Sequence, residues 1–159
     1  MTHFLEYPSP LGILLLTCSE EGLTGIWVDR QCPTDAPSRS HPILENTKLW
    51  LDAYFQGQIP QVSLPLAPEG TPFQRLVWDI LLTIPYGETR SYGSIAREVA
   101  QQLGKATMSA QAVGGAVGRN PISIVIPCHR CVGAKGQLTG YAGGLERKAW
   151  LLRHEGILP

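Results

Sequence analysis

Residues 122–133 read ISIVIPCHRCVG, and the rest of the chain is best understood outward from them. Ser123-Ile124-Val125-Ile126 is short, apolar and β-branched, which predicts a buried strand or extended segment. Pro127 has no N–H to give to a ladder, so it ends that segment and sets the chain into a turn. Past the turn stand Cys128, His129, Arg130 and Cys131. A thiol beside an imidazole and a guanidinium, at the rim of a buried element, is expected to have a depressed pKa. The thiolate is the reactive form, which makes Cys128 the candidate nucleophile. Two plainer readings compete. A cysteine beside a buried strand often acts only as a small hydrophobe. Cys-His-x-Cys also offers three metal ligands, but adjacent Cys128 and His129 depart from the usual spacing of a structural zinc site, and no second cluster completes the set. No metal and no organic cofactor are expected.

The chain around this stretch has 159 residues, enough for one domain of ordinary size or a small domain fused to a smaller one. Hydrophobic residues at 43% and charged residues at 16% favour a packed core over disorder. The start, MTHFLEYPSPLG, lacks a basic segment followed by an apolar run, so no signal peptide is expected. No apolar stretch approaches the ~18 residues of a membrane span. Cys18, Cys32, Cys128 and Cys131 are irregularly spaced and do not resemble a disulfide framework. A reducing, cytoplasmic setting is expected, in which a free thiol persists. The formal net charge of zero hides an asymmetry: residues 1–70 hold three Lys/Arg against eight Asp/Glu, and residues 71–159 hold ten against five. A basic second half is what a polyanion-facing surface would need, although solvated faces give the same count.

The first thirty residues predict antiparallel strands at His3 to Tyr7, Ile13 to Cys18 and Thr24 to Val28, separated by Pro- and Gly-containing turns. Gln31 to Pro42 reads as a loop. Ile43 to Phe55 has the spacing of an amphipathic helix. Gly57 to Gly70, with three prolines, reads as a linker. The domain boundary is placed there, giving a small N-terminal α/β domain over 1–70 and a C-terminal domain over 71–159. Among the ligand-type residues of the first part, Cys18 and His41 included, no convincing metal-binding pattern is seen.

Thr71-Pro72 is a strong helix start, an N-cap followed by proline at the first helical position. Phe73, Leu76, Val77, Ile80, Leu81 and Ile84 then form an apolar stripe that Pro85-Tyr86-Gly87 stops. Ser91 can cap the next helix, with Ile95, Ala96 and Val99 inward. Gln102 to Thr107 makes a turn, and a further helix begins near Ser109. Two short helices joined by a tight, Gly-containing turn are a helix-turn-helix candidate. The second is nearly all tiny side chains, AQAVGGAV, although each Gly costs ~1 kcal/mol in a helix relative to Ala. Such a surface lets another backbone approach, either a neighbouring helix or a nucleic acid. Gly118-Arg119-Asn120-Pro121 turns the chain toward Cys128. Gly133 to Gly144 holds five glycines and Tyr141, a loop able to close over a small flat ligand. Leu145 to His154 is a last amphipathic helix with Leu145, Ala149, Trp150 and Leu152 as its inner face. Glu155, just beyond it, is either solvated or the acidic partner of a Cys–His pair.

These residues strongly resemble the O6-alkylguanine-DNA alkyltransferases, the methylated-DNA–protein-cysteine methyltransferases. The resemblance runs from about Thr71 to Gly156 through TPFQRLVW, IPYGETRSYGSIA, AVGGAVGRNP, IPCHR, TGYAGG and WLLRHEG. The first part resembles the family's small α/β domain in general shape. The resemblance implies an α+β protein with a mostly helical C-terminal domain that carries the helix-turn-helix. It also implies direct-reversal repair of duplex DNA: the damaged guanine is flipped out and its O6 alkyl group moves once, irreversibly, to a cysteine. O4-alkylthymine is left open as a second lesion, and a monomer is expected.

Carried onto this sequence, Cys128 would accept the alkyl group, His129 would generate the thiolate through a water, and Glu155 would orient His129. Asn120 would hold the turn between recognition helix and active site. Tyr92 would lie over the flipped base and offer its hydroxyl to the departing guanine. Cys131, Gly133, Tyr141 and Ala142 would frame the pocket, with Ser94, Ala110, Gln111, Ala112 and Arg119 as further contacts to substrate or DNA. The sequence departs from the family at three places. Gln111 stands where an arginine is frequent, Cys131 where an aliphatic residue is usual, and Ala142 where a serine is common. Two other readings remain: a lesion-binding protein that does not transfer, and a Cys–His–Glu hydrolase or thiol-redox enzyme unrelated to DNA.

Overall fold

The computed structural model describes residues 2–28, 40–141 and 143–159, so most of the expected loop Gln31–Pro42 lies outside the described residues. The architecture is α+β. Its contacts divide it into two compact units, Met1–Glu69 with Pro121–Ser123, and Gly70–Asn120 with Ile124–Pro159.

In the first unit, β1 (His3–Ser9), β2 (Gly12–Cys18) and β3 (Leu23–Val28) form an antiparallel sheet in the order β1-β2-β3. The β1–β2 register runs from His3 opposite Cys18 to Ser9 opposite Gly12. Gly12, at φ 106°, takes the backbone region that a side chain would strain. Leu14, Leu16, Leu23 and Ile26 are fully buried. Helix α1 (Pro42–Phe55) sinks Leu44, Leu51 and Tyr54 into the same core. Its N-cap is His41, whose Nδ1 accepts the Ile43 N–H at 3.1 Å. Pro121–Ser123 lies along β3: the Ile26 N–H donates to Pro121 O at 3.0 Å, and Ile122 bridges Ile26 in parallel.

The second unit is mostly helical. Helix α2 (Pro72–Leu81) starts in a full capping box, in which Thr71 Oγ1 accepts the Gln74 N–H and Gln74 Oε1 accepts the Thr71 N–H. It ends at Leu81, and turns carry the chain to Ile84. A two-residue strand β4 (Arg90–Ser91) leads into α3 (Tyr92–Leu103), capped by Ser91 and ended by Gly104 in the left-handed region. Helix α4 (Ala110–Gly118), capped by Ser109, completes the helix pair. The Trp78 indole is 1% exposed and donates to Ala116 O at 2.9 Å, tying α2 to α4. A short 3-10 turn at Cys128–Arg130 runs into β5 (Cys131–Val132), which pairs in parallel with β4. Helix α5 (Leu145–His154) follows.

Two expectations need correction here. Ser123–Ile126 is not a strand but a buried succession of turns, in which Ile124 has φ 73°. Burial without alternation is equally available to a packed coil, and an apolar run cannot tell the two apart. The inner face of α5 is also rotated from the expected one. Leu145 is half exposed, Ala149 and Trp150 are intermediate, and the buried residues are Lys148, Leu151 and Leu152.

Candidate active site

The turns after Asn120 place Cys128. The Cys128 N–H donates to Ile126 O at 2.8 Å, and the Asn120 side-chain amide donates to the same oxygen at 2.8 Å. That carbonyl ties the end of α4 to the cysteine. Asn120 is 6% and Cys128 4% exposed. Cys128 nevertheless reaches a pocket of 610 Å³ lined by residues of α3, α4 and the glycine-rich loop. The walls include Tyr92, Ala110, Gln111, Gly114, Thr139 and Tyr141. The Tyr92 hydroxyl donates to Thr139 O at 3.2 Å.

Behind Cys128 lies a buried ionic cluster. His129 Nε2 is 2.5 Å from Glu155 Oε2, and both side chains are fully buried. Arg130 grips the same carboxylate from the other side, Nε to Oε1 at 2.8 Å and Nη2 to Oε2 at 3.2 Å. The Gly87 N–H adds a bond to Oε1 at 3.0 Å, and Arg130 Nη1 donates to Ile84 O. With Nε2–H given to Glu155, the lone pair of a neutral His129 lies on Nδ1, which is buried and bonded to no side chain or backbone group among the described residues. Burial holds the His129 pKa below the usual range, against the pull of Glu155, so the ring is neutral and able to take a proton.

The thiol itself is a correction. Burial pushes Cys128 above the ordinary thiol range, not below it. Asn120, the nearby Lys148 ammonium, and the backbone N–H groups of Cys128 and His129 favour the thiolate, but they do not outweigh desolvation. The guanidinium next in sequence does not help, because Arg130 turns its charge onto Glu155. The resting group is therefore a thiol that needs a base.

Lys148, which the sequence reading missed, is 0% exposed. Its Nζ donates to Cys131 O at 2.6 Å, Thr139 O at 2.8 Å and Gly140 O at 3.3 Å. The signal available was a lysine spaced three and four residues before Leu151 and Leu152, on the buried side of α5. Arg130 was also missed as a partner of Glu155. Its place in the CHR string was the only hint.

The remaining candidates scatter. Ala110, Gln111, Ala112 and Arg119 are all exposed on or at the end of α4; the first two line the pocket and the last two do not. Ser94 is taken up by Arg90, whose Nε and Nη2 donate to its Oγ at 3.0 and 2.9 Å. Cys131 and Gly133 do not line the pocket. Gly133 closes a turn with Gln137, its N–H donating to Gln137 O. Ala142 lies outside the described residues.

Among the described residues one group of side chains, His3, Glu20 and His41, has the composition and proximity of a metal-ligand set. His41 Nδ1 is occupied as the cap of α1, which puts its proton on Nε2, where it donates to Glu20 at 3.2 Å. The group reads as a hydrogen-bonded trio. No helix among the described residues is long and apolar enough to cross a membrane.

Residues 5–68 match the family described as 6-O-methylguanine DNA methyltransferase, ribonuclease-like domain, and residues 72–157 match that family's DNA binding domain. The chain is 48% identical to the methylated-DNA–protein-cysteine methyltransferase of Mycobacterium leprae, over 98% of this chain and 93% of that protein. It is 41% identical to the Methanosarcina acetivorans protein of the same name, over 97% and 98%. The crystal structure of Mycobacterium tuberculosis OGT in complex with DNA superposes with a TM-score of 0.81, at 42% identity, over 99% of this chain and 95% of that one.

Proposed function

The chain belongs to the 6-O-methylguanine DNA methyltransferase family, and on that premise we propose that it repairs DNA by moving the alkyl group of an O6-alkylguanine onto Cys128. It binds DNA and acts as a methylated-DNA–protein-cysteine methyltransferase. The finer assignments rest on the geometry of the second unit, and the C-terminal domain of residues 71–159 holds all the chemistry.

The observation that carries this reading is the buried Cys128 lining the pocket, backed by a neutral His129 whose Nε2 is held by Glu155. Extruding a base costs a few kcal/mol, least for a damaged pair. Once the base is in the pocket, His129 Nδ1 takes the Cys128 proton through a bridging water. Asn120 and Lys148 stabilise the thiolate that results. The sulfur attacks the alkyl carbon, the bond from that carbon to O6 breaks, and the electron pair leaves with the guanine. Tyr92, which lines the pocket, turns its hydroxyl hydrogen from Thr139 O to the departing base as a hydrogen bond. The product is a thioether that nothing in the site reverses, so each monomer acts once. Small residues on the exposed face of α4, Gly115 and Gly118 among them, allow close approach of a duplex without base-edge readout.

The test is intact-protein mass after mixing with excess duplex carrying one O6-methylguanine, followed by peptide mapping. A gain of one methyl on Cys128 that stops at one equivalent is expected. Binding without any gain would make the protein a lesion sensor. Neither binding nor gain would return Cys128 to hydrolase or redox chemistry.

A further inference from the structure

Cys131 supplies no side chain to the transfer just described, yet it is built into the same turn as the acceptor. The two cysteines bracket the 3-10 turn, and the Cys131 N–H donates to Cys128 O. Side chains three residues apart on such a turn eclipse one another. A turn of this kind keeps its end Cα atoms within ~7 Å, and a disulfide takes ~4.4–6.8 Å. Both thiols are free and buried. Both also bear on one cation: burial lowers the Lys148 pKa, and Cys131 and then Cys128 draw it back up. The spacing is that of Cys-x-x-Cys pairs, whose first thiol is commonly the reactive one.

We propose that Cys128 and Cys131 are a modification site, forming a reversible intramolecular disulfide when hydrogen peroxide enters the pocket. In the first step His129 takes the Cys128 proton, the sulfur attacks peroxide, an S–O bond forms, the O–O bond breaks, and the proton leaves with the departing oxygen as water. In the second the Cys131 sulfur displaces the sulfenic oxygen, an S–S bond forms, the S–O bond breaks, and the second thiol proton leaves in another water. Two thiols are oxidised by two electrons and one peroxide is reduced to two waters. Only Cys128 lines the pocket, and Cys131 is 0% exposed. Peroxide therefore meets Cys128 first, and the second thiol attacks from inside the fold, ahead of over-oxidation to the irreversible acids. A dithiol reductant reopens the bond by exchange. That the bond blocks repair rests on Cys128 being the acceptor; the bond itself does not.

The experiment treats the folded, full chain with hydrogen peroxide, blocks the remaining thiols after denaturation, and maps the peptides by mass. The expected result is a loss of two hydrogens and of two blocking groups, both within the peptide holding residues 128–131, restored by dithiothreitol. Cys131→Val should instead collect oxygen on Cys128 that dithiothreitol does not fully remove. Oxygen accumulating on Cys128 of the unmodified chain with no loss of two hydrogens overturns the proposal, and so does pairing of Cys128 with Cys18 or Cys32. The map of the unmodified chain decides even if Cys131→Val folds poorly, and Cys131→Ser gives a second comparison. Methyl uptake by the oxidised sample, measured separately, reports on the acceptor and leaves the bond assignment independent.

Discussion

His129 and Glu155 meet at 2.5 Å with neither side chain exposed. The carboxylate is shared with Arg130, so one buried anion both orients the base and neutralises the neighbouring guanidinium. The first consequence concerns Glu155→Gln, which keeps the shape and removes the charge. Breaking one partner out of a buried ionic cluster costs ~3–5 kcal/mol. Urea unfolding should show a loss of that size. Single-turnover methyl transfer, measured where the variant is still folded, should slow by roughly 10²-fold, the scale of general-base catalysis. Unchanged transfer would remove His129 and Glu155 from the chemistry.

The pH dependence of stability has a defined sign. Cys128 is held above its unfolded value by burial. Its contribution is full below ~pH 8.5, where the thiol of the unfolded chain begins to ionise, and is lost as pH rises toward the folded value. His129 is held below its unfolded value. Its contribution is full above ~pH 6.5 and falls as pH drops toward the folded value. The difference in unfolding free energy between the unmodified chain and Cys128→Ala should therefore be flat through neutrality. Above ~pH 8.5 it should move against the unmodified chain. A difference that instead favours the unmodified chain as pH rises would mean that the resting cysteine is a thiolate.

Lys148→Met removes the one donor that the carbonyls of Cys131, Thr139 and Gly140 share. Hydrogen bonds to a charged group are each worth ~1.5–3 kcal/mol, and losses within one cluster do not simply add. A net loss of about 3 kcal/mol in urea unfolding is the expected result. Lys148→Arg should not restore it, because a planar fork does not fit three carbonyls around a single point charge. Full rescue by arginine would show that charge, not convergent geometry, is what matters.

Gly115 lies on the exposed side of α4, with nothing within 4 Å of a Cβ built there. Gly115→Ala should raise stability by ~1 kcal/mol, the helix propensity difference. If α4 is the face that meets DNA, the same change should weaken duplex binding, measured by titration at fixed salt. Gains in both would place the duplex elsewhere.

Much of the scaffold was legible because its signals are local. Thr71-Pro72 marks the start of α2, and the glycine-containing turn Gln102–Thr107 separates α3 from α4. What escaped depends on which way side chains face. Ser123–Ile126 looks like a strand because it is buried and β-branched, but Ile124 at φ 73° bends it into a turn. The expectation of a depressed thiol pKa followed from His129 and Arg130 standing one and two residues from Cys128, but burial leaves the imidazole neutral. Tertiary structure turns that guanidinium onto Glu155, 25 residues further along the chain. Lys148 escaped for a similar reason, since a lysine between leucines on a surface helix is ordinarily solvated.

The three bonds of Lys148 also bear on the chain statistics of the loop they hold. Residues 133–144 contain five glycines, and a segment so free has much entropy to lose when it is ordered. The ammonium anchors backbone oxygens before the segment, at Cys131, and within it, at Thr139 and Gly140. It acts as a non-covalent cross-link that divides one long closure into shorter ones. The ordering is done during folding, so a guest entering the pocket meets a wall already fixed and does not bear the cost of fixing it. A surface that would otherwise behave as a flexible tether is thereby made into a template.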